Sequence, residues 1–357
     1  MEGKDYLLAL CQCAALGPSR LARLRTRFNS WKEIWEAPPR ELLAAGLASE
    51  VIAELHSVRK DFDWQKLKSE LERYSIKTIA PEETLYPRLL KQTHLPPLLY
   101  YKGALDCLKR PTLAVVGTRK PTPYGLQITS KLLEPLIRSG VTIVSGLALG
   151  IDALAHTAAI DGGGETAAVL GCGLDTIYPA TNRRLAERVT RQGCLISEFR
   201  PGTPAYKTNF PRRNRLIAGL SLATLVIEAA GKSGALITAH QSLNDNRDVL
   251  AVPGNILSPY SEGTNALLKL GAKVITSADD IFEALGLTSS AAERSNTDGN
   301  ATPEEKELLA LLGSEALHIN ELVRRTALDI KSINSRLTVM ELNGLVKNVG
   351  NTTYVRL

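Results

Sequence analysis

The 357-residue chain contains no apolar run long enough to span a bilayer, only 5% aromatic residues and just two methionines. A transmembrane helix is thereby excluded from the sequence reading. The first ten residues carry acids and a short apolar patch, without the basic region and small-residue cleavage site of a secretory signal, so a cytoplasmic protein is expected. Five cysteines, Cys11, Cys13, Cys107, Cys172 and Cys194, form no second Cys-x-Cys pair and have no histidines beside them, which supports neither a zinc site nor a disulfide framework. Buried, reduced thiols are expected instead.

Complete cofactor motifs are also missing. Gly231-Lys232-Ser233 resembles the end of a P-loop, but the glycine required five residues earlier is Val226. Gly171-Cys172-Gly173 lacks the third glycine of a dinucleotide fingerprint and follows a middle strand. Asp152 and His156, four apart on one helix face, have no partner cluster, and the alanine-rich helix around them reads as packed core. No metal, cofactor or catalytic group is therefore expected, and the chain reads as a binder.

What is present is a positive balance, +6 at pH 7 with a pI near 9.0. The excess is central: residues 101–290 hold 20 basic and 15 acidic residues, whereas 301–357 hold seven of each. An anionic partner fits such a centre.

Three segments separate by pattern. Residues 1–75 show helical apolar spacing through Leu21, Leu24 and Phe28, then Leu42, Val51 and Leu55, and predict a small helical domain. Its Leu-Gly-Pro-Ser turn opens a helix carrying Arg20, Arg23, Arg25 and Arg27. Two readings stand for it: a helix-hairpin-helix turn facing a DNA phosphate, or a solvated helix face. Residues 76–287 alternate β-rich runs, beginning at Leu113–Val116 and Val141–Val144, with helical stretches. That alternation predicts an α/β, Rossmann-like, doubly wound parallel sheet, with ligands beyond the carboxyl ends of its strands. Residues 288–302 have linker composition, and residues 303–357 run helix, helix, helix, hairpin, the order of a winged helix.

Four strand-to-loop junctions concentrate the chemistry. Gly117-Thr118-Arg119 ends a strand on a glycine, where backbone N–H groups and a guanidinium meet a phosphate. Ser145-Gly146 begins a second glycine-rich turn, running to Asp152. From Tyr206 to Arg215 come Lys207, Phe210, Arg212, Arg213, Asn214 and Arg215: four positive charges, no acid, two aromatics. Cations neutralise phosphates, rings stack bases and an amide reads a base edge. Lys232-Ser233-Gly234 opens a helix, a seat for one phosphate.

At these junctions the chain resembles the DprA/Smf family, the DNA-processing proteins of bacterial transformation. The segments that carry the likeness are Val116–Arg119, Ser145–Asp152, Tyr178-Pro179 with Asn182, Ser197-Glu198, Phe210–Ser221, Ser233–Ala239 and Ala251–Gly254, in order over roughly residues 85–287. The resemblance implies a Rossmann-like core that binds single-stranded DNA, forms a homodimer and helps load RecA recombinase. It also implies a sterile-alpha-motif-like domain before the core and a winged helix after it. The family's DNA pocket falls here on Arg119, Lys207, Phe210 and Lys232. Leu149 stands where the family often has arginine, Asn246 where it has glycine and Ala235 where it has serine, departures that bear on affinity. The dimer is expected to use Leu267, Leu268, Val274 and Ile275 near the last strand. A rival reading, a nucleotide-hydrolysing enzyme like the lysine-decarboxylase-like phosphoribohydrolases, requires a Pro-Gly-Gly-x-Gly-Thr string that does not occur here. A second rival is an interaction scaffold that has lost DNA binding.

Overall fold

The computed structural model describes residues 3–93, 96–287, 303–312, 317–326, 328–342, 346–350 and 352–356. The linker expected at 288–302 lies outside the described residues. The chain divides into two compact units, Met1–Ser289 and Ser290–Leu357.

The first unit opens with helices α1 (Gly3–Leu10), α2 (Pro18–Arg25), α3 (Trp31–Glu36), α4 (Pro39–Ala44), α5 (Ser49–Asp61) and α6 (Trp64–Arg73). Local chemistry starts several of them: Pro18 and Pro39 preset the first turns of α2 and α4, and the Asp63 carboxylate accepts from Lys66 N at 3.1 Å to cap α6. Their buried face, with Leu7, Leu24, Leu42 and Leu55, continues without a break into Tyr100, Ala168 and Leu195 of the sheet. The boundary expected at residue 75 is therefore not a break in packing; helices and sheet share one core. Arg20, Arg23 and Arg25 of α2 and Arg27 just after it are occupied within this region, donating to the carbonyls of Ala15, Gly46, Phe28 and Ala44 respectively.

The core follows as β1 (Lys77–Ile79), β2 (Leu99–Gly103), β3 (Thr112–Val116), α7 (Pro123–Arg138), β4 (Thr142–Ser145), α8 (Ile151–Asp161), β5 (Thr166–Val169), α9 (Arg183–Arg191) and β6 (Gly193–Ser197). Then come α10 (Asn209–Gly219), β7 (Ala223–Val226), α11 (Gly234–Asn244), β8 (Asp248–Ala251), α12 (Glu262–Lys269), β9 (Lys273–Val274) and α13 (Ala278–Ala284). The sheet order is β1-β2-β6-β5-β4-β3-β7-β8-β9, parallel from β6 to β9. The expected doubly wound sheet is present, with an addition: β1 and β2 extend it antiparallel beyond β6. A three-residue strand such as β1 carries too few residues to show a period.

Alternate residues of the central strands face opposite layers. Leu113 and Val115 pack with α7, α8 and α13, whereas Ala114 and Val116 pack with residues of α10, α11 and α12. From β3 the chain steps outward through β4, β5 and β6, then returns to lay β7 against the other side of β3. The loops after β3 and β7 therefore diverge to opposite faces, opening a crevice at the switch point.

The second unit contains α14 (Pro303–Leu312), β10 (Leu317–His318), α15 (Ile319–Arg325), α16 (Ile330–Leu342), β11 (Val346–Gly350) and β12 (Thr353–Arg356). Its strands pair in the order β10-β12-β11 over Leu308, Leu322, Ile333, Leu337 and Tyr354. This is the winged-helix arrangement. No helix among the described residues is long and apolar enough to cross a membrane.

Candidate nucleic-acid interface

The crevice between β3 and β7 holds a cavity of about 610 Å³. Three junctions that are far apart in sequence form its walls. Gly117, Thr118 and Arg119 follow β3; Lys207, Phe210, Arg213 and Asn214 come from the start of α10; Lys232, Ser233 and Gly234 lead into α11. Tight backbone contacts seat them. Thr118 N donates to Glu228 O at 2.7 Å, and Ile151 N donates to Thr118 O at 3.1 Å. Gly150, at φ +78°, lies where a Cβ would come within 2.3 Å of Thr118 O, so only glycine lets the β4 loop press against the β3 loop. Ser233 Oγ accepts from Ala235 N at 3.2 Å and caps α11 beside Lys232.

Three cations surround the opening. Arg119, Lys207 and Lys232 are exposed and have no hydrogen-bond or ion-pair partner among the described residues. Phe210 is half-buried and packs on Tyr178, centroids 5.5 Å apart, which leaves a two-ring ledge between the cations. A neighbouring cavity of about 680 Å³, lined by Thr122, Tyr124, Glu228 and Ser261, contains a carboxylate and no cation.

Arg213 plays a different part from the other cations. It is 5% exposed, donating through Nη1 to Gly146 O at 2.7 Å and to Val169 O, while its Nε donates to Asn214 Oδ1 at 3.1 Å. The buried Asp152 carboxylate lies in the same network, accepting from Gly146 N at 3.1 Å. Burial raises its pKa and the Arg213 charge opposes that rise. Gly146 has to be glycine because a Cβ there would stand 2.7 Å from the guanidinium carbon. Arg213 thus fastens the β4 loop to α10, its charge met by carbonyls and Asp152, while it also lines the cavity. Asn214 is committed as well, its Nδ2 donating to Gly234 O at 3.3 Å.

Four further residues singled out from the sequence lie away from this cavity. Ser145 is buried, its Oγ donating to Val115 O at 2.6 Å. Arg212 stacks over Phe199, 5.3 Å from the ring centroid, and Arg215 pairs with Glu198. Gly146 lines a small adjoining space with Leu149, Tyr178 and Phe210. Tyr178 is the residue that reading for site chemistry missed. Its position in the loop after β5, one strand beyond the β4 loop, was the available signal, since all such loops open on one edge. His156 is fully buried, its Nδ1 2.7 Å from Thr166 Oγ1, and burial pushes the imidazole down to about 3.

This arrangement matches known proteins over most of its length. The family model described as DNA recombination-mediator protein A matches residues 77–286, and that of the DprA winged helix domain matches residues 291–350. Protein Smf of Synechocystis is 35% identical over 98% of this chain and 98% of its own. The X-ray structure of DNA processing protein A from Streptococcus pneumoniae aligns with a TM-score of 0.71 at 34% identity, covering 79% of this chain and 98% of that one. A second structure, described for the single-stranded DNA binding mode of DNA processing protein A from Helicobacter pylori, aligns at 0.54 with 31% identity, covering 59% of this chain and 95% of that one. With its central sheet and its winged helix both matched, the chain belongs to the DprA/Smf family of DNA recombination mediators.

Proposed function

We propose that this chain binds single-stranded DNA in the cavity at the β3/β7 switch point and, as a homodimer, helps load RecA recombinase onto that strand during natural transformation. The observation that carries the binding step is the ring of Arg119, Lys207 and Lys232 around the Phe210–Tyr178 ledge. Three charges without partners among the described residues attract phosphates, and two rings offer a stacking surface that tolerates any base. The Helicobacter pylori relative is described as a single-stranded DNA binder, which supports the same reading. RecA loading rests on family membership alone. The exposed lining is formed by Arg119, Lys207 and Lys232 with Tyr178, Pro211, Gly234 and Ile237, and the carboxylate of the lining, Asp152, is buried, which favours binding over catalysis.

The dimer surface is assigned to the free edge of β9 with part of α12. Of the four residues expected there, Leu267 and Ile275 are buried in the core, whereas Val274 is 54% exposed and Leu268 half-buried; Leu270, 74% exposed, joins them. An apolar edge strand left open invites uncontrolled pairing, and a symmetric partner covers it. Leu270→Glu with Val274→Lys is expected to give a monomer in sedimentation velocity at micromolar concentration; an unchanged parental dimer would refute the assignment. The binding step is tested by salt-dependent mobility shifts with single-stranded and duplex oligonucleotides. A clear preference for the single strand supports it, and equal or absent binding overturns it.

A further inference from the structure

Helix α9 carries a basic face that the cavity does not use. Its sequence, Arg-Arg-Leu-Ala-Glu-Arg-Val-Thr-Arg, holds four arginines and one glutamate. Ala186 and Val189 are buried and Leu185 is half-buried, which turns Arg183, Arg184, Arg188 and Arg191 outward. Arg188 pairs with Asp161, but Arg183, Arg184 and Arg191 have no hydrogen-bond or ion-pair partner among the described residues. Helix stability does not explain the first two. Cations in a first turn oppose the helix macrodipole. Nor does α9 contain a first-turn acid or a side-chain cap to offset them.

The position of this face connects it to the cavity. Because α9 follows β5, its first turn lies at the carboxyl edge of the sheet. Asn182, immediately before it, is buried and donates through Nδ2 to Leu147 O at 2.9 Å and Ala148 O at 3.3 Å, and Ala148 lines the cavity. Tyr178, on the same connection, forms the cavity's ring ledge. The arginine face therefore begins where the cavity wall ends. It spans nine residues, or eight steps of 1.5 Å, about 12 Å. A strand stacked at about 3.4 Å per nucleotide passes three to four phosphates over that length.

We propose that α9 is an exit track on which Arg183, Arg184 and Arg191 bind the phosphates of single-stranded DNA leaving the cavity. The inference rests on the reading of the cavity as a single-strand site. A protein partner is the less suitable occupant, since interface centres are depleted of charge and rich in aromatic and apolar groups. The outward residues of α9 are Arg183, Arg184, Glu187, Arg188 and Arg191, with no apolar side chain among them.

The test compares 5′-phosphorylated trithymidylate, whose three phosphates match the three cavity cations, with a twenty-nucleotide oligothymidylate, by fluorescence anisotropy across a salt series with the full chain. Reversing Arg183, Arg184 and Arg191 to glutamate is expected to reduce the log–log salt slope for the long strand by about 2, at about 0.7 per phosphate contact, and to leave the short strand unaffected. The triple alanine variant, milder for folding, is expected to shift the slope in the same direction. Lys232→Glu reports separately on the cavity, weakening both strands. Long-strand slopes that both triple variants leave unchanged, while Lys232→Glu still weakens binding, would overturn the exit track and spare the cavity. Failure of Lys232→Glu to weaken either strand would overturn both.

Discussion

Charge and stacking in the cavity are separable by measurement. Arg119, Lys207 and Lys232 present three charges to a ligand, since Arg213 is spent on the carbonyls of Gly146 and Val169. At about 0.7 per contact, a strand confined to the cavity binds with a log–log salt slope of about −2. Raising salt from 50 to 200 mM then weakens it about 20-fold, by the same relation. Lys207→Glu or Lys232→Glu removes one contact, which brings the slope to about −1.4 and the same salt step to about 7-fold. Phe210→Ala removes stacking, worth about 1–3 kcal/mol per base, and leaves the slope at its parental value. The assay is fluorescence anisotropy of labelled 5′-phosphorylated trithymidylate at several salt concentrations, with circular dichroism as the control for folding. Folded charge-reversal variants that keep the parental affinity and slope would refute the reasoning and locate the strand elsewhere. A parental slope near −3 would instead return Arg213 to the set of phosphate contacts.

Removal of residues 303–357 is expected to leave single-strand affinity within a few-fold of the parent, because seven basic residues there are matched by seven acids; a large loss in mobility shift would count against it. Arg213→Met leaves the buried carbonyls of Gly146 and Val169 without this donor and should lower stability by about 1–3 kcal/mol in urea unfolding, whereas a change under 1 kcal/mol would contradict the fastening role. His156, held neutral by burial, titrates near 3 in the fold against about 6.5 unfolded. The unfolded chain therefore binds the extra proton first as pH falls, so the stability this residue contributes is complete above pH 6.5 and is lost progressively toward pH 3. Thermal unfolding of His156→Gln should show a flatter pH dependence over that window, and superimposable profiles would exclude the contribution.

Much of the molecule was legible before folding. The alternation from Leu113 to Val252 predicts the parallel sheet, because strand and helix periods differ and each strand is buried on both faces. Gly117, Lys207, Phe210 and Lys232 stood out because glycine, charge and ring gather between the apolar strands and the helices that follow them. The antiparallel addition of β1 and β2 was not legible, and neither was the continuity of the N-terminal helices with the sheet, since both depend on contacts between segments far apart in the chain.

The local pattern thus determined which loops would be polar, which stretches would be core, and that the charge would gather at one edge. It could not apportion the arginines. Arg212, Arg213 and Arg215 look alike in a string of ten residues, yet one lies over Phe199, one is buried against two carbonyls and one pairs with Glu198. In a helical turn these side chains point in different directions, and what each meets is set by β4, β5 and β6, not by its neighbours in sequence. The free cations are those whose loops the switch point leaves facing solvent, and that selection belongs to the tertiary structure.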